Sequence, residues 1–198
     1  MGQAVPSLTR QRPLCYLIDQ KEDAFFQADG GEQMDEKLIE VFRKVYEGEA
    51  KAALRLRIFA KIADQEDLPQ ISRLFRVISF SEEIHGERAL RMLREIQDTD
   101  SNLKESFHSE THVAGVAYES FIALAENTGD VTASNILSNS RDVEASHAKL
   151  YDYAINHLLG EKETTYYVCQ VCGYVSDGLL PKVCPVCSAH KKEFVEFN

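Results

Sequence analysis

Clustered lysine and arginine are missing from this chain: 22 basic residues stand against 32 acidic ones, for a formal net charge of -10. Recognition of nucleic acid or of an anionic membrane surface needs concentrated positive charge, so neither is expected as a partner, and small molecules or proteins are. Long apolar runs are missing as well, and no stretch approaches the roughly 18 residues that a membrane-spanning helix requires. The first fifteen residues contain Pro6, Arg10, Arg12 and Pro13 but no apolar segment of the kind a secretory signal carries. A cytoplasmic protein is expected. Cysteine is scarce outside one place. Four of the five fall within 19 residues as two CxxC pairs, a metal pattern, which leaves Cys15 as a plain thiol. Its neighbours Leu14 and Leu17 make no lipidation signal.

Proline is scarce too. Between Met34 and Gly160 only Pro69 occurs, and the apolar residues there recur at helical spacing, whereas residues 1–33 hold two prolines and Gly30-Gly31 and read as an arm. The spacing predicts a four-helix bundle over residues 34–160 and a separate module over 164–198. The first seam runs through Leu38, Val41 or Phe42, Val45, Glu49, Ala52, Leu56, Phe59 and Ala63. The second follows Pro69 through Ile71, Leu74 or Phe75, Ile78, Glu82, His85, Ala89, Met92 and Ile96. A third runs from Phe107 through Glu110, Val113 or Ala114, Ala117 and Phe121 to Leu124, and a fourth from Ala133 through Ile136, Glu144, His147, Tyr151 and Ala154 to Leu158, with Gly129 and Asp130 turning between them and Gly160 as the stop. Phe59 and Phe121, Glu82 and Glu144, and His85 and His147 are each 62 residues apart, so the bundle reads as a duplicated helix pair.

Each apolar seam is interrupted by a glutamate: Glu49, Glu82, Glu110 and Glu144. Two of them are followed by a histidine one helical turn on, in Glu82-x-x-His85 and Glu144-x-x-His147. Buried carboxylates cost several kcal/mol each unless paired, so four converging on one core call for cations. Four Glu and two His match the arithmetic of a dinuclear carboxylate bundle, and the mixed oxygen and imidazole set suits iron or manganese. A single ExxH would more often be a solvated glutamate beside an ordinary histidine; two in matched repeats point to metal. Glu49 precedes Glu82 by 33 residues but Glu110 precedes Glu144 by 34, so strict register would select Thr111. A one-residue π-bulge between Glu110 and Phe121 would restore it. His112 and Glu119 compete nearby, but their phase makes them surface or supporting groups.

The tail reads Cys169-Gln-Val-Cys172-Gly-Tyr174, then, with eleven residues intervening after Cys172, Cys184-Pro-Val-Cys187. Two CxxC knuckles spaced this way predict a tetrahedral four-thiolate site, with Gly173 freeing the first turn and Tyr166, Tyr167, Tyr174, Phe194 and Phe197 as a small core. About 35 residues are too few to fold without the metal.

With these motifs together, residues 34–198 resemble the rubrerythrin family, including its nigerythrin branch. The resemblance is carried by Gly48-Glu49-Ala50, the two ExxH pairs, Glu110, and the CxxCGY and CPxC knuckles. It implies a ferritin-like bundle followed by a rubredoxin-like domain, two iron ions held by Glu49, Glu82, His85, Glu110, Glu144 and His147, and one iron on the four cysteines, with structural zinc as the alternative. It also implies a head-to-tail homodimer, reduction of hydrogen peroxide to water in oxidative-stress defence, and electrons passed through the cysteine iron from an external reductase or rubredoxin. Two positions depart from the family pattern. The further glutamate usual three residues after the third-helix ligand is Val113, and of a tyrosine pair near the metals only Tyr118 is present, the other position being Leu56. The six-ligand set is thereby closer to bacterioferritin, which bears on the redox-linked iron movement and keeps a ferroxidase reading open. A zinc-containing binding module without redox role is the reading from another class.

Overall fold

The computed structural model describes residues 34–157 and 164–198. The expected arm, Cys15 and the stop at Gly160 lie outside the described residues. The chain divides between Ile96 and Gln97 into two compact units.

The first unit is a helical hairpin of α1 (Glu36–Gln65) and α2 (Pro69–Leu93). Asp35 starts α1 by accepting the Lys37 backbone N–H, and Pro69 starts α2 at the position where a missing N–H costs nothing. α2 stops at Leu93 because Arg94 takes a left-handed conformation (φ 57°), so Ile96 falls outside the helix expected to include it. The two helices meet through small residues. Ser72, Ser79 and Gly86 recur every seven residues on α2 and are buried, as are Ala53, Ala60 and Ala63 on α1, and Gly86 lies against Glu49 and Tyr46. Ser79 Oγ donates to the Ala53 carbonyl at 2.9 Å, and ion pairs Arg57–Glu83 and Asp64–Arg76 tie the pair at its edges. Of the larger seam residues, Phe59 and Phe75 meet across the pair in an edge-on ring contact (5.7 Å), while Leu38, Val41 and Leu74 remain exposed on the hairpin.

The second unit holds the matching pair. α3 (Thr99–His112), capped by Asp98 on the Ser101 N–H, runs into a π-helical turn (Val113–Ala117) and then α4 (Tyr118–Thr128). In the π turn the Tyr118 N–H bonds the Val113 carbonyl five residues back, one residue more than an α-helix uses. The bulge falls where the 33-versus-34 spacing requires it. Gly129 (φ 73°) ends α4, and the Asp130 side chain accepts the Ala133 N–H at the start of α5 (Val131–His157). The unit ends in a three-stranded antiparallel sheet of order β2-β1-β3, with β1 Tyr166–Cys169, β2 Val175–Asp177 and β3 Phe194–Phe197. Tyr166, Tyr167, Tyr174 and Phe194 are half-buried there, but Phe197, expected in the core, is exposed at the sheet end. The fold is thus mainly α: the four helices of a ferritin-like domain, followed by a rubredoxin-like module.

Candidate metal centres

The pairing of α1 with α2 puts Glu49, Glu82 and His85 at one level of the first hairpin, with Glu49 beside Gly86. His85 Nδ1 lies 3.1 Å from Glu82 Oε2 and 3.9 Å from Glu49 Oε1. In the second unit the same construction recurs: His147 Nδ1 lies 3.2 Å from Glu144 Oε2 and 3.8 Å from Glu110 Oε1. In each triad one donor atom per residue can be chosen so that all lie within 4.8 Å of one another. The structure therefore gathers the six expected residues as two separate triads, one per unit, with nearly equal internal distances. Glu110, not Thr111, joins the second, because the π turn rotates it into place.

The carboxylates are crowded in a way that suits a cation. Glu110 is pushed up to about 7, first by burial and then by the hydrogen bond and like charge of Glu144. Glu49 is raised as well, by a shared hydrogen bond with Glu82 before burial and the Glu82 charge, while His85 works against the shift. A divalent ion between such pairs replaces the proton they share.

The triads differ in their surroundings. His85 is 49% exposed and its triad opens into a shallow groove with Phe42, Val45 and Met92. His147 is 24% exposed, and its Nε2 faces the Gly173 carbonyl at 3.4 Å. Gly173 has φ 87°, and a Cβ there would sit 3.7 Å from Val143 Cγ1 of α5, so the knuckle lies directly on the helix that carries His147. His112 and Glu119 are exposed, and Tyr118 makes an edge-on ring contact with Phe121 (6.0 Å). No hydrogen bond joins Tyr118 to the triads among the described residues.

In the module the two knuckles are near copies. The Gly173 N–H donates to Cys169 O and the Ser188 N–H to Cys184 O; Cys169 N–H reaches Tyr174 O and Cys184 N–H reaches Ala189 O. Both turns need a left-handed residue after the second cysteine, supplied by Gly173 and by Ser188 (φ 61°). The sulfurs of Cys169 and Cys187 are 3.7 Å apart, those of Cys172 and Cys184 3.6 Å. These separations are too long for a disulfide and match the edge of a tetrahedron with metal–sulfur bonds of about 2.3 Å, roughly 3.8 Å. Burial pushes the Cys172 and Cys187 thiols up; at Cys184 burial also raises the thiol, but the backbone N–H groups of Cys187 and Val186, with the neighbouring thiols, outweigh it and hold it low. The donor set fits one thiophilic ion, iron or zinc.

Comparison with known proteins matches this architecture. The sequence model of the rubrerythrin family covers residues 40–155 and that of the rubrerythrin rubredoxin-like domain residues 167–195. Among curated proteins, rubrerythrin-2 of Clostridium acetobutylicum is 27% identical over 172 residues, spanning 78% of this chain and 94% of its own length. Nigerythrin of Nitratidesulfovibrio vulgaris is 25% identical over 173 residues, 80% of this chain and 86% of its own. Among solved structures, nigerythrin in its partially reduced state is 25% identical, with a TM-score of 0.50 over 86% of this chain and 90% of that one.

Proposed function

Because the chain belongs to the rubrerythrin family, we propose that it is a non-haem di-iron peroxidase that reduces hydrogen peroxide to water and is re-reduced through the iron of its cysteine module. The observation that carries this reading is the pair of equivalent Glu–Glu–His triads, one of which touches the four-thiol knuckle through His147 and Gly173. A zinc module without redox role has no use for two such triads.

When bound, two ferrous ions supply the two electrons that, with two protons, convert one hydrogen peroxide into two waters. The chain does the rest. Glu49, Glu82, Glu110 and Glu144 offset the metal charge and His85 and His147 present Nδ1 to it. The Gly173 carbonyl accepts the His147 Nε2–H, which fixes the tautomer that leaves Nδ1 free to ligate. From Cys172 Sγ a covalent path of one peptide unit leads to the Gly173 carbonyl, and 3.4 Å separate its oxygen from the His147 ring. The thiolate cage and the second triad are thereby coupled without an intervening solvent layer. Electrons enter from an external reductase or rubredoxin, and the protein works as a cytoplasmic homodimer.

Mixing prereduced protein with peroxide anaerobically tests this: both centres reoxidise with about two electrons consumed per peroxide. A protein whose reduced centres survive excess peroxide refutes it. Val113, where the family carries a further glutamate, favours one rival, a ferroxidase using the six-ligand site. Sustained oxidation of added Fe(II) by a variant lacking the four cysteines would support that rival instead.

A further inference from the structure

The two knuckles of the cysteine module share a backbone but differ in charge. The first carries no charged residue from Tyr167 to Ser176, and its Gly173 rests against α5 beside His147. The second is the reverse. Residues 178–192, which hold Cys184 and Cys187, contain Lys182, His190, Lys191 and Lys192 and neither Asp nor Glu, in a chain whose net charge is -10.

Folding gathers these cations. Val183 bridges His190 in antiparallel register, which sets Lys182 opposite Lys191, and the Lys191 N–H donates to the Lys182 carbonyl at 3.1 Å. Like charges directly across a ladder are unfavourable. Among the described residues neither of these lysines has an acidic partner, whereas Lys192 reaches Glu193 at 3.6 Å. All four cationic residues are exposed, as is Val183 at 52%. Uncompensated positive charge around an exposed apolar side chain is the composition of a docking face, and its sign calls for an acidic partner.

Place in the module says what that partner carries. The same hairpin holds Cys184 and Cys187, with the Cys184 N–H bonded to the Ala189 carbonyl, so whatever sits on the lysines stands next to the thiolate cage. The first knuckle, against His147, is placed to pass electrons on; the second is left to receive them.

We propose that the second knuckle is the electron-entry face and that its occupant is an acidic iron–sulfur carrier protein, held by Lys182, Lys191 and Lys192 over Val183. In each encounter the carrier's reduced cluster loses one electron and the ferric thiolate iron gains it, with no bond made or broken. Two encounters restore what one peroxide consumes. The proposal rests on the reading of the module as an electron relay.

The probe is an acidic plant-type two-iron ferredoxin. Titrated into the full-length protein with zinc at the cysteines, its paramagnetic iron is expected to broaden the amide signals of Val183 and of residues 187–192, and to spare those of residues 171–174. Stopped-flow reduction of the iron-loaded protein, without peroxide, gives the second readout. Lys182→Glu with Lys191→Glu should slow reduction of the red centre about 10- to 100-fold at low salt, and Lys182→Arg with Lys191→Arg should keep the wild-type rate. The difference should fade as salt rises to about 1 M, where screening acts within about 3 Å. An unaltered visible spectrum shows that each variant's module is intact. No footprint, a footprint elsewhere, or a rate that ignores both charge reversal and salt overturns the proposal. So does charge reversal that lowers the protein's own sedimentation coefficient, since the lysines would then hold a second copy of this chain. A protein reduced through this face that leaves peroxide untouched supports the proposal and sinks the peroxidase reading alone.

Discussion

The two triads are built from the same motif with nearly the same distances, yet they inhabit different surroundings. His85 is half open to solvent in a shallow groove beside Glu82, whereas His147 is held between Glu144 and a carbonyl of the cysteine knuckle. A π turn is needed to bring Glu110 to the second triad and nothing comparable interrupts α1. The motif is repeated, but the cysteine module packs beside His147 and leaves its triad the more enclosed of the two.

That contrast can be broken most severely at the knuckle. Cys172→Ser removes a thiolate from a module too small to fold without metal, and the metal's contribution there is on the order of 10 kcal/mol. Residues 164–198 are expected to lose hydrogen-exchange protection, and metal affinity at the second triad to fall about 10- to 100-fold as His147 loses its carbonyl partner. An unchanged affinity of the six-ligand set would contradict the role given to the Gly173 carbonyl.

Proton competition sharpens the same difference. Without metal the Glu110 carboxyl is held up to about 7 against an ordinary 4.5. A raised folded-state value means that this group's contribution to stability is fully present below pH 4.5 and lost as pH rises through about 7. Metal binding runs the other way, since the ion must displace that proton. Affinity at the second triad should fall about tenfold per pH unit below 7 and level off above it, in isothermal titrations with Mn(II). A flat profile between pH 5 and 7 would show that Glu110 is not a ligand.

Smaller effects compare the buried serines of the first hairpin. Ser79 donates to Ala53, and Ser79→Ala should cost about 1 kcal/mol. Among the described residues the Ser72 hydroxyl has no hydrogen-bond partner, so Ser72→Ala should be neutral or stabilising by up to about 1 kcal/mol in urea unfolding. The knuckles offer the last comparison: Ser188 holds the left-handed conformation that Gly173 adopts freely, and Ser188→Gly should stabilise the module by about 0.5 to 1 kcal/mol.

Much of this was legible from spacing alone. The ExxH pairs, the knuckles and the π turn follow from counting residues, because a metal site fixes which side chains must share a level whatever else the helices do. The packing was less legible. The large residues at positions such as Leu38 and Leu74 read as the contact within a pair, but the pair closes on Ser72, Ser79, Gly86 and the alanines, a heptad of small residues that a hydrophobic pattern passes over. Sequence periodicity marks an apolar face without saying which helix covers it. The seat of Gly173 on α5 had no local signal, since it depends on two segments 26 residues apart in chain order meeting at His147.

The most direct measurement of the central claim is metal content together with the visible spectrum of protein produced with ample iron. The account predicts three irons per chain and the red colour of ferric thiolate, with Glu82→Gln and His85→Ala together reducing the count to about one while the colour remains. A colourless protein holding one zinc and no iron would contradict it.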